Sequence, residues 1–359
     1  MQFSATETWD AVVVGAGLSG LATALLLHEA GQSVIVLEAH AVAGGRVRSV
    51  FDENNIYMAD LGPSWVWPAH QPVLSKWVEK LELSLFPQFD EGQAILDYGP
   101  EQTTKAAFIP GQNGNMRVVG GTHALVDAMT KHLPEGIVHT SSQVKTISSA
   151  SDDIIITLEN GARLKTNSVI MALPPRIALE TIDWQVELPR ALRNGLDMMP
   201  TWMAPHAKVA VLYEKPFWRE LGLSGRIASR AGPIAEAHDH CSADGSIAAL
   251  WGFIGWPYDI RVKMGSELEV RLQLKRCFGE DSPSPMSVHI EEWSTNSFIT
   301  STNDLSGPMH HPSVGPDILR KSHFEGRIYF AGSETAERSP GLIEGAFDAA
   351  ERVVGQVVK

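Results

Sequence analysis

Three glycines at fixed spacing and one acidic residue carry the first chemical signal: Gly15-Ala16-Gly17-Leu18-Ser19-Gly20, followed 23 residues after Gly15 by Glu38. In such a turn the first glycine permits a tight strand-to-helix bend, and the second lets backbone N–H groups approach a pyrophosphate. The third lets helix and strand pack closely. A carboxylate closing the next strand accepts from ribose hydroxyls, so the set describes a dinucleotide site. Lys208 is a second candidate, sharing a strand face with Ala210 and Leu212. That is an unusual place for a solvated lysine, although a strand-end amine reaching water is the commoner arrangement. His238-Asp239-His240-Cys241 offers metal-ligating side chains, but no second cluster is spaced to complete a tetrahedral site. Its Gly- and Ser-containing surroundings predict a loop, and no metal is expected. Neither a Gly-x-Ser-x-Gly elbow nor a P-loop occurs, so hydrolase and NTPase chemistry lack a starting residue.

These residues need elements to hold them. Ala11-Val12-Val13-Val14 reads as a short buried strand, the residues after the glycine turn as an apolar-faced helix ending at Gly31, and residues 33–37 as a second strand closed by Glu38. Residues 138–147 read as one strand. Residues 154–158 turn at Asn160-Gly161 and return through 169–172 as a hairpin, and residues 208–213 alternate like a half-buried strand. Ile328-Tyr329-Phe330-Ala331 reads as a buried strand ended by Gly332. After Pro340-Gly341 a helix runs to the end, with Leu342, Ala346, Ala349, Val353 and Val357 at helical spacing.

The chain has 359 residues, which at about 150 per domain predicts two domains, and its 44% hydrophobic and 20% charged residues are those of a globular protein. Lys and Arg number 29 against 42 Asp and Glu, a net charge of −13 that argues against nucleic-acid binding through a basic face. The uncharged run 11–27 is interrupted by three glycines and flanked by acidic residues, so no membrane span is expected. Cys241 and Cys277 make no disulfide framework, and residues 1–9 carry no secretory or transit pattern; a cytoplasmic protein is expected.

Three stretches resemble the flavin-dependent amine oxidase family, the group of the monoamine and polyamine oxidases. The first is the glycine turn continued through Glu38-Ala39 to Gly44-Gly45-Arg46. The second is Ala207-Lys208-Val209-Ala210-Val211-Leu212-Tyr213-Glu214-Lys215-Pro216-Phe217-Trp218, similar to the monoamine oxidase strand with the flavin-proximal lysine. The third is Tyr329-Phe330-Ala331-Gly332-Ser333-Glu334-Thr335 with Gly341-Leu342-Ile343-Glu344-Gly345-Ala346. Weaker similarities are Asp60-Leu61-Gly62-Pro63-Ser64-Trp65, Val119-Gly120-Gly121 and Ala172-Leu173-Pro174-Pro175.

The resemblance implies an α/β fold: a Rossmann-like FAD-binding domain from residues 1–66, 117–188 and 294–359, with a discontinuous, reduced α+β substrate domain from 67–116 and 189–293. It places Gly15, Gly17, Gly20, Glu38, Gly45, Arg46, Gly62, Ser64, Val144, Gly332, Ser333, Glu334, Leu342 and Ile343 at FAD. Lys208 becomes the catalytic group, holding a water on flavin N5, and Trp65, Trp67, Trp293 and Leu342 face the substrate. The implied reaction takes a hydride from the carbon next to an amine nitrogen, giving an imine, with O2 as acceptor and H2O2 as product. Which amine, and what oligomeric state, the sequence leaves open.

Departures from the family pattern modify these expectations. Residues 294–305 contain no cysteine where monoamine oxidases attach FAD, so the flavin is expected to be noncovalent. Leu342 stands at one position of the family's paired-tyrosine cage, and the other falls in residues 302–304, where no tyrosine stands. His40 replaces an arginine near the ADP, and Ser333 replaces a ribityl-binding glutamate. Pro68 and Gly120 are close in sequence where the family inserts a longer helical part, predicting a more open pocket. Two alternatives remain: a renalase-like oxidase of a dihydronicotinamide, and a noncatalytic FAD-bound scaffold.

Overall fold

The computed structural model describes residues 8–100, 102–106, 114–150, 153–264, 267–306 and 311–358. Two large sheets carry the architecture. The first runs in the order Asp183–Trp184, Val144–Ala150, Asp153–Leu158, Arg163–Met171, Thr8–Val14, Val34–Leu37, Val138–His139. Thr8–Val14 lies parallel to both neighbours and is buried from Ala11 onward. A strand covered on both faces requires a continuous apolar run, which explains Ala11-Val12-Val13-Val14. Helix Leu18–Glu29 makes the crossover to Val34–Leu37.

Arg163–Met171 serves two partners. Its first half completes the antiparallel hairpin with Asp153–Leu158 through the Asn160-Gly161 turn, Gly161 taking φ +84°. Its second half pairs in parallel with Ile328–Phe330. Through that pairing the C-terminal strand reaches the glycine turn, and Ser19 Oγ donates to the carbonyl of Ala331, 312 positions away.

Residues 138–147 are not one strand. Val138–His139 pairs with Val34–Leu37 at one edge, while Val144–Ala150 joins the hairpin on the far side. Between them Ser141 adopts φ +52°, and Ser141 and Ser142 donate to the carbonyls of His40 and Glu38, so the chain leaves the sheet to fold over residues 38–40.

The second sheet has the order Ser287–Glu292, Ala207–Tyr213, Ala248–Ile254, Ile234–Asp239, Leu223–Ser229, Gln93–Asp97, Thr103–Ala106. Ala207–Tyr213 is buried along its whole length rather than half-buried. Val209, Val211 and Tyr213 face a core with Phe217, Trp218 and Leu274, while Ala210 and Leu212 are covered by Val50, Ala59 and Leu61. The small hairpin Ser49–Phe51 and Tyr57–Asp60 thus closes the face that alternation left to solvent.

The loop expected at residues 238–241 is also corrected. His238 and Asp239 end strand Ile234–Asp239, and all four side chains are buried. They tolerate burial because partners satisfy them: the Asp239 carboxylate accepts from Trp218 Nε1 and Arg219, and His238 Nε2 meets Glu236 Oε1 at 2.8 Å. Among the described residues no group of His, Cys, Asp and Glu is arranged to hold a metal.

The packed cores do not divide along 67–116 and 189–293. Helix Pro72–Lys80 belongs to the first sheet's core, with Trp77 stacked on Phe347 at 4.7 Å, and helix Arg190–Met198 buries Leu192 and Leu196 against the same sheet's other face. Glu344 ties the first of these in place, its carboxylate accepting from the backbone N–H groups of Val73 and Leu74. Those amides open the helix and lack intrahelical partners, and a carboxylate there also suits the helix dipole.

Candidate active site

One cleft of about 460 Å³ lies where the glycine turn, the C-terminal motif and the second sheet meet. Its first wall is Gly15, Gly17, Glu38, Gly45 and Arg46; its second is Gly332, Ser333, Leu342 and Ile343; Gly62, Ser64, Val144 and Lys208 also line it. Two helices begin here, Leu18–Glu29 after Gly17 and Ile343–Val357 after Leu342, and no side chain caps either. Uncapped helix starts present free N–H groups and partial positive charge to an anion or a carbonyl edge.

The donor set and the shape fit FAD. A Cβ built on Gly17 meets nothing nearer than Gly45 Cα at 4.0 Å, so it would project into the open cradle rather than into protein. At Gly20 the same atom would lie 1.9 Å from the Gly15 carbonyl, so Gly20 packs helix on strand and does not line the cleft. Glu38 is oriented by two backbone donors, Ala16 N at 2.7 Å and His40 N at 2.8 Å, each to a different oxygen. A carboxylate has about four acceptor sites, so capacity remains for hydroxyls.

Glu334 does not reach the cleft either. It is fully buried, pairing with Arg46 Nη1 at 2.6 Å, while Arg46 Nη2 reaches Ser333 Oγ at 2.8 Å. It therefore acts by fixing the arginine that lines the site.

Lys208 enters from the start of Ala207–Tyr213, the strand next to the edge of the second sheet. It is 6% exposed, and its Nζ donates to the Gly62 carbonyl at 2.5 Å. Trp251 and Phe253 flank the ammonium, with ring centroids at 5.3 and 5.5 Å. Burial lowers its pKa to about 7; the carboxylate of Asp60 opposes this shift and Arg46 adds to it.

Trp65, Trp67 and Trp293 all line the cleft. Their indole N–H groups are occupied, by Gln88 Oε1, Asn115 Oδ1 and the Leu61 carbonyl, which leaves ring faces for a ligand. Trp202, Met203, Trp251, Phe253, Phe298 and Ile299 are among the other lining residues and were not singled out from the sequence. Trp251 and Phe253 reach it only because Ala248–Ile254 pairs with Ala207–Tyr213, setting Phe253 opposite Lys208. The one sequence signal for these additions is the excess of ten tryptophans over five tyrosines. No helix among the described residues is long and apolar enough to cross a membrane.

Comparison with known proteins adds an independent line. The family model for flavin containing amine oxidoreductases matches residues 18–112 and 107–358. A flavin-containing amine oxidase of Oncorhynchus mykiss is 25% identical, covering 99% of this chain and 87% of the relative. Its alignment runs over 463 positions, more than the 359 residues present here, so the relative carries segments this chain lacks. A probable flavin-containing monoamine oxidase A of Dictyostelium discoideum is 22% identical, with 97% of each chain covered. Among solved structures, putrescine oxidase bound to putrescine superposes with a TM-score of 0.80 at 19% identity, covering 98% of this chain and 99% of that one. Cyclohexylamine oxidase from Brevibacterium oxydans gives 0.80 at 17%, with the same coverage.

Proposed function

The chain belongs to the flavin containing amine oxidoreductase family, and from that premise we propose that it oxidises a small-molecule amine with noncovalent FAD and O2. The observation that carries this reading is Lys208, a buried amine with a pKa near neutrality that opens onto the glycine-lined cleft between two aromatic rings. When bound, FAD supplies the hydride acceptor; the protein's part is to hold, orient and shield. Gly15, Gly17 and the uncapped start of helix Leu18–Glu29 would take the pyrophosphate, Glu38 the ribose, and the start of helix Ile343–Val357 the electron-rich edge of the flavin ring. The tryptophan faces would hold the amine's apolar part and exclude water. The division into 1–66, 117–188 and 294–359 against 67–116 and 189–293 belongs to this reading as a functional one. So does a cytoplasmic site of action, supported by two free, buried cysteines.

Anaerobic mixing with candidate substrates tests the proposal. Bleaching of the bound flavin by amines is expected; bleaching by dihydronicotinamides alone, or by neither class, overturns it. A panel of amines scored for peroxide then identifies the substrate class.

Acid precipitation is expected to release the flavin into the supernatant, because both cysteines lie outside the cleft lining. Flavin that stays with the pellet excludes noncovalent binding.

The Lys208 pKa gives a pH dependence. Below it the amine is charged and stabilises the negative charge that O2 acquires on reduction; above it that charge is gone. The rate of reoxidation of photoreduced enzyme is therefore expected to fall as pH rises through the amine's pKa, about 7 in the empty site and higher beside a negatively charged reduced flavin, and to lose that step in Lys208→Met. A reoxidation rate flat between pH 6 and 10 in the parent excludes the assignment.

Leu342 lines the cleft at the start of its helix. Leu342→Tyr adds bulk there and is expected to shift kcat/KM toward smaller amines by roughly tenfold across a size series. An unchanged ratio removes Leu342 from substrate selection.

A further inference from the structure

Beneath Ser64 and Lys208 lies a buried polar group of residues that the proposed reaction does not use. His240 is 1% exposed, anchored by its backbone N–H to the Ala249 carbonyl and by Arg117, whose guanidinium donates to the His240 and Cys241 carbonyls. Its ring lies nearly parallel to Trp251, the residue flanking Lys208.

The two ring nitrogens have different neighbours. Nε2 receives the Asp60 backbone N–H at 3.0 Å and faces Tyr57 Oη at 3.0 Å. A backbone N–H only donates, so Nε2 must accept and the ring proton sits on Nδ1. Burial, with Arg117 and His238 nearby, holds the imidazole pKa well below its usual value, which keeps the ring in this neutral form. Nδ1 faces Ser64 Oγ at 3.4 Å, a long hydrogen bond in which the serine accepts. Ser64 is 2% exposed, lines the cleft, and makes no other side-chain hydrogen bond among the described residues. With one lone pair engaged from behind, its own O–H is left to donate forward.

We infer that His240 is a positioning residue: its Nδ1–H fixes the Ser64 hydroxyl as a donor aimed into the cleft beside Lys208, toward an acceptor on the flavin. This rests on the FAD-binding part of the proposed function. It adds to that reading a residue, outside the cleft lining, that acts only through a side chain within it.

The test is FAD titration of the apoprotein, read as dissociation constant and as the visible band of the bound flavin. Ser64→Ala is expected to weaken FAD binding by roughly tenfold, the value of one ordinary hydrogen bond, and to shift the band, while Ser64→Thr stays close to the parent. His240→Gln keeps a partner for the Asp60 N–H but has no donor where Nδ1 stood, and should match Ser64→Ala. His240→Asn places an amide N–H near the Nδ1 position and should stay close to the parent. The double variant Ser64→Ala/His240→Gln should be no weaker than either single variant, since both remove one interaction.

A merely structural role predicts no such split between Gln and Asn. Parent-like binding by His240→Gln, equal loss in Gln and Asn, or additive losses in the double variant overturns the inference. If neither His240 variant folds, Ser64 decides alone: loss in Ala but not in Thr supports the inference, and equal affinities overturn it. A parent that binds FAD but is not bleached by amines removes the amine-oxidase reading without touching these affinities. A parent that binds no FAD overturns both.

Discussion

Replacing Lys208 by Met is expected to slow turnover by roughly 100- to 1000-fold while FAD remains bound, the usual value of one well-placed charged donor in a dry site. Methionine keeps the apolar stem between Trp251 and Phe253 and removes only the ammonium. Two steps suffer: the hydrogen-bond donor beside the flavin is lost during substrate oxidation, and the positive charge is lost when O2 is reduced. Anaerobic and aerobic stopped-flow measurements separate them. Rates within a few fold of the parent in both would return Lys208 to a packing role. Stability distinguishes this from damage to the fold. The folded pKa of about 7 lies below the ordinary lysine value of 10.5, so between those values the unfolded chain binds more protons and parent stability falls as pH drops toward 7. Lys208→Met lacks that penalty. Its thermal midpoint should gain on the parent's between pH 10 and pH 7, the opposite of what a damaged core would give.

Gly17→Val is expected to give a folded but colourless protein, with FAD affinity lowered at least about 100-fold. Two charge-assisted hydrogen bonds to phosphate are worth about 1.5–3 kcal/mol each, and a side chain at Gly17 occupies the cradle from which they would be made. Gly20→Ala, only three residues along, should do the reverse. Its Cβ would sit 1.9 Å from the Gly15 carbonyl, so helix and strand must part, costing about 2–4 kcal/mol of stability. Circular dichroism, thermal midpoints and FAD titration of the two variants give the comparison. A yellow Gly17→Val protein with parent affinity would remove the cradle from the FAD site; a Gly20→Ala protein as stable as the parent would contradict the packing.

The glycine-turn wall of the cleft was legible because its backbone demands are local. Gly15, Gly17, Gly20 and Glu38 belong to one strand–helix–strand unit, whose apolar periodicity and backbone demands are written in consecutive residues. The C-terminal motif was legible as a strand and a helix for the same reason. The family resemblance implied that the two share a domain, but joining them required the second half of Arg163–Met171 as a common partner, a pairing that periodicity alone does not contain.

Elsewhere long-range contacts decided. Residues 138–147 begin and end with strand-forming side chains, yet backbone bonds from Ser141 and Ser142 to His40 and Glu38 divide them between opposite sides of a sheet. His238-Asp239-His240-Cys241 is polar enough to read as a loop, and its burial depends on Trp218, Arg219 and Arg117, all distant in sequence, together with Glu236 two residues back on the same strand. Trp251 and Phe253 line the cleft through strand register, which fixes which faces meet but leaves no mark in either strand alone. The sequence by itself determined the family and the strand, glycine turn and helix that wall the cleft, because each rests on residue types at short, fixed spacing. The tertiary structure decided the environment of Lys208, a buried amine between two rings with a pKa near 7, because desolvation depends on every element packed around it.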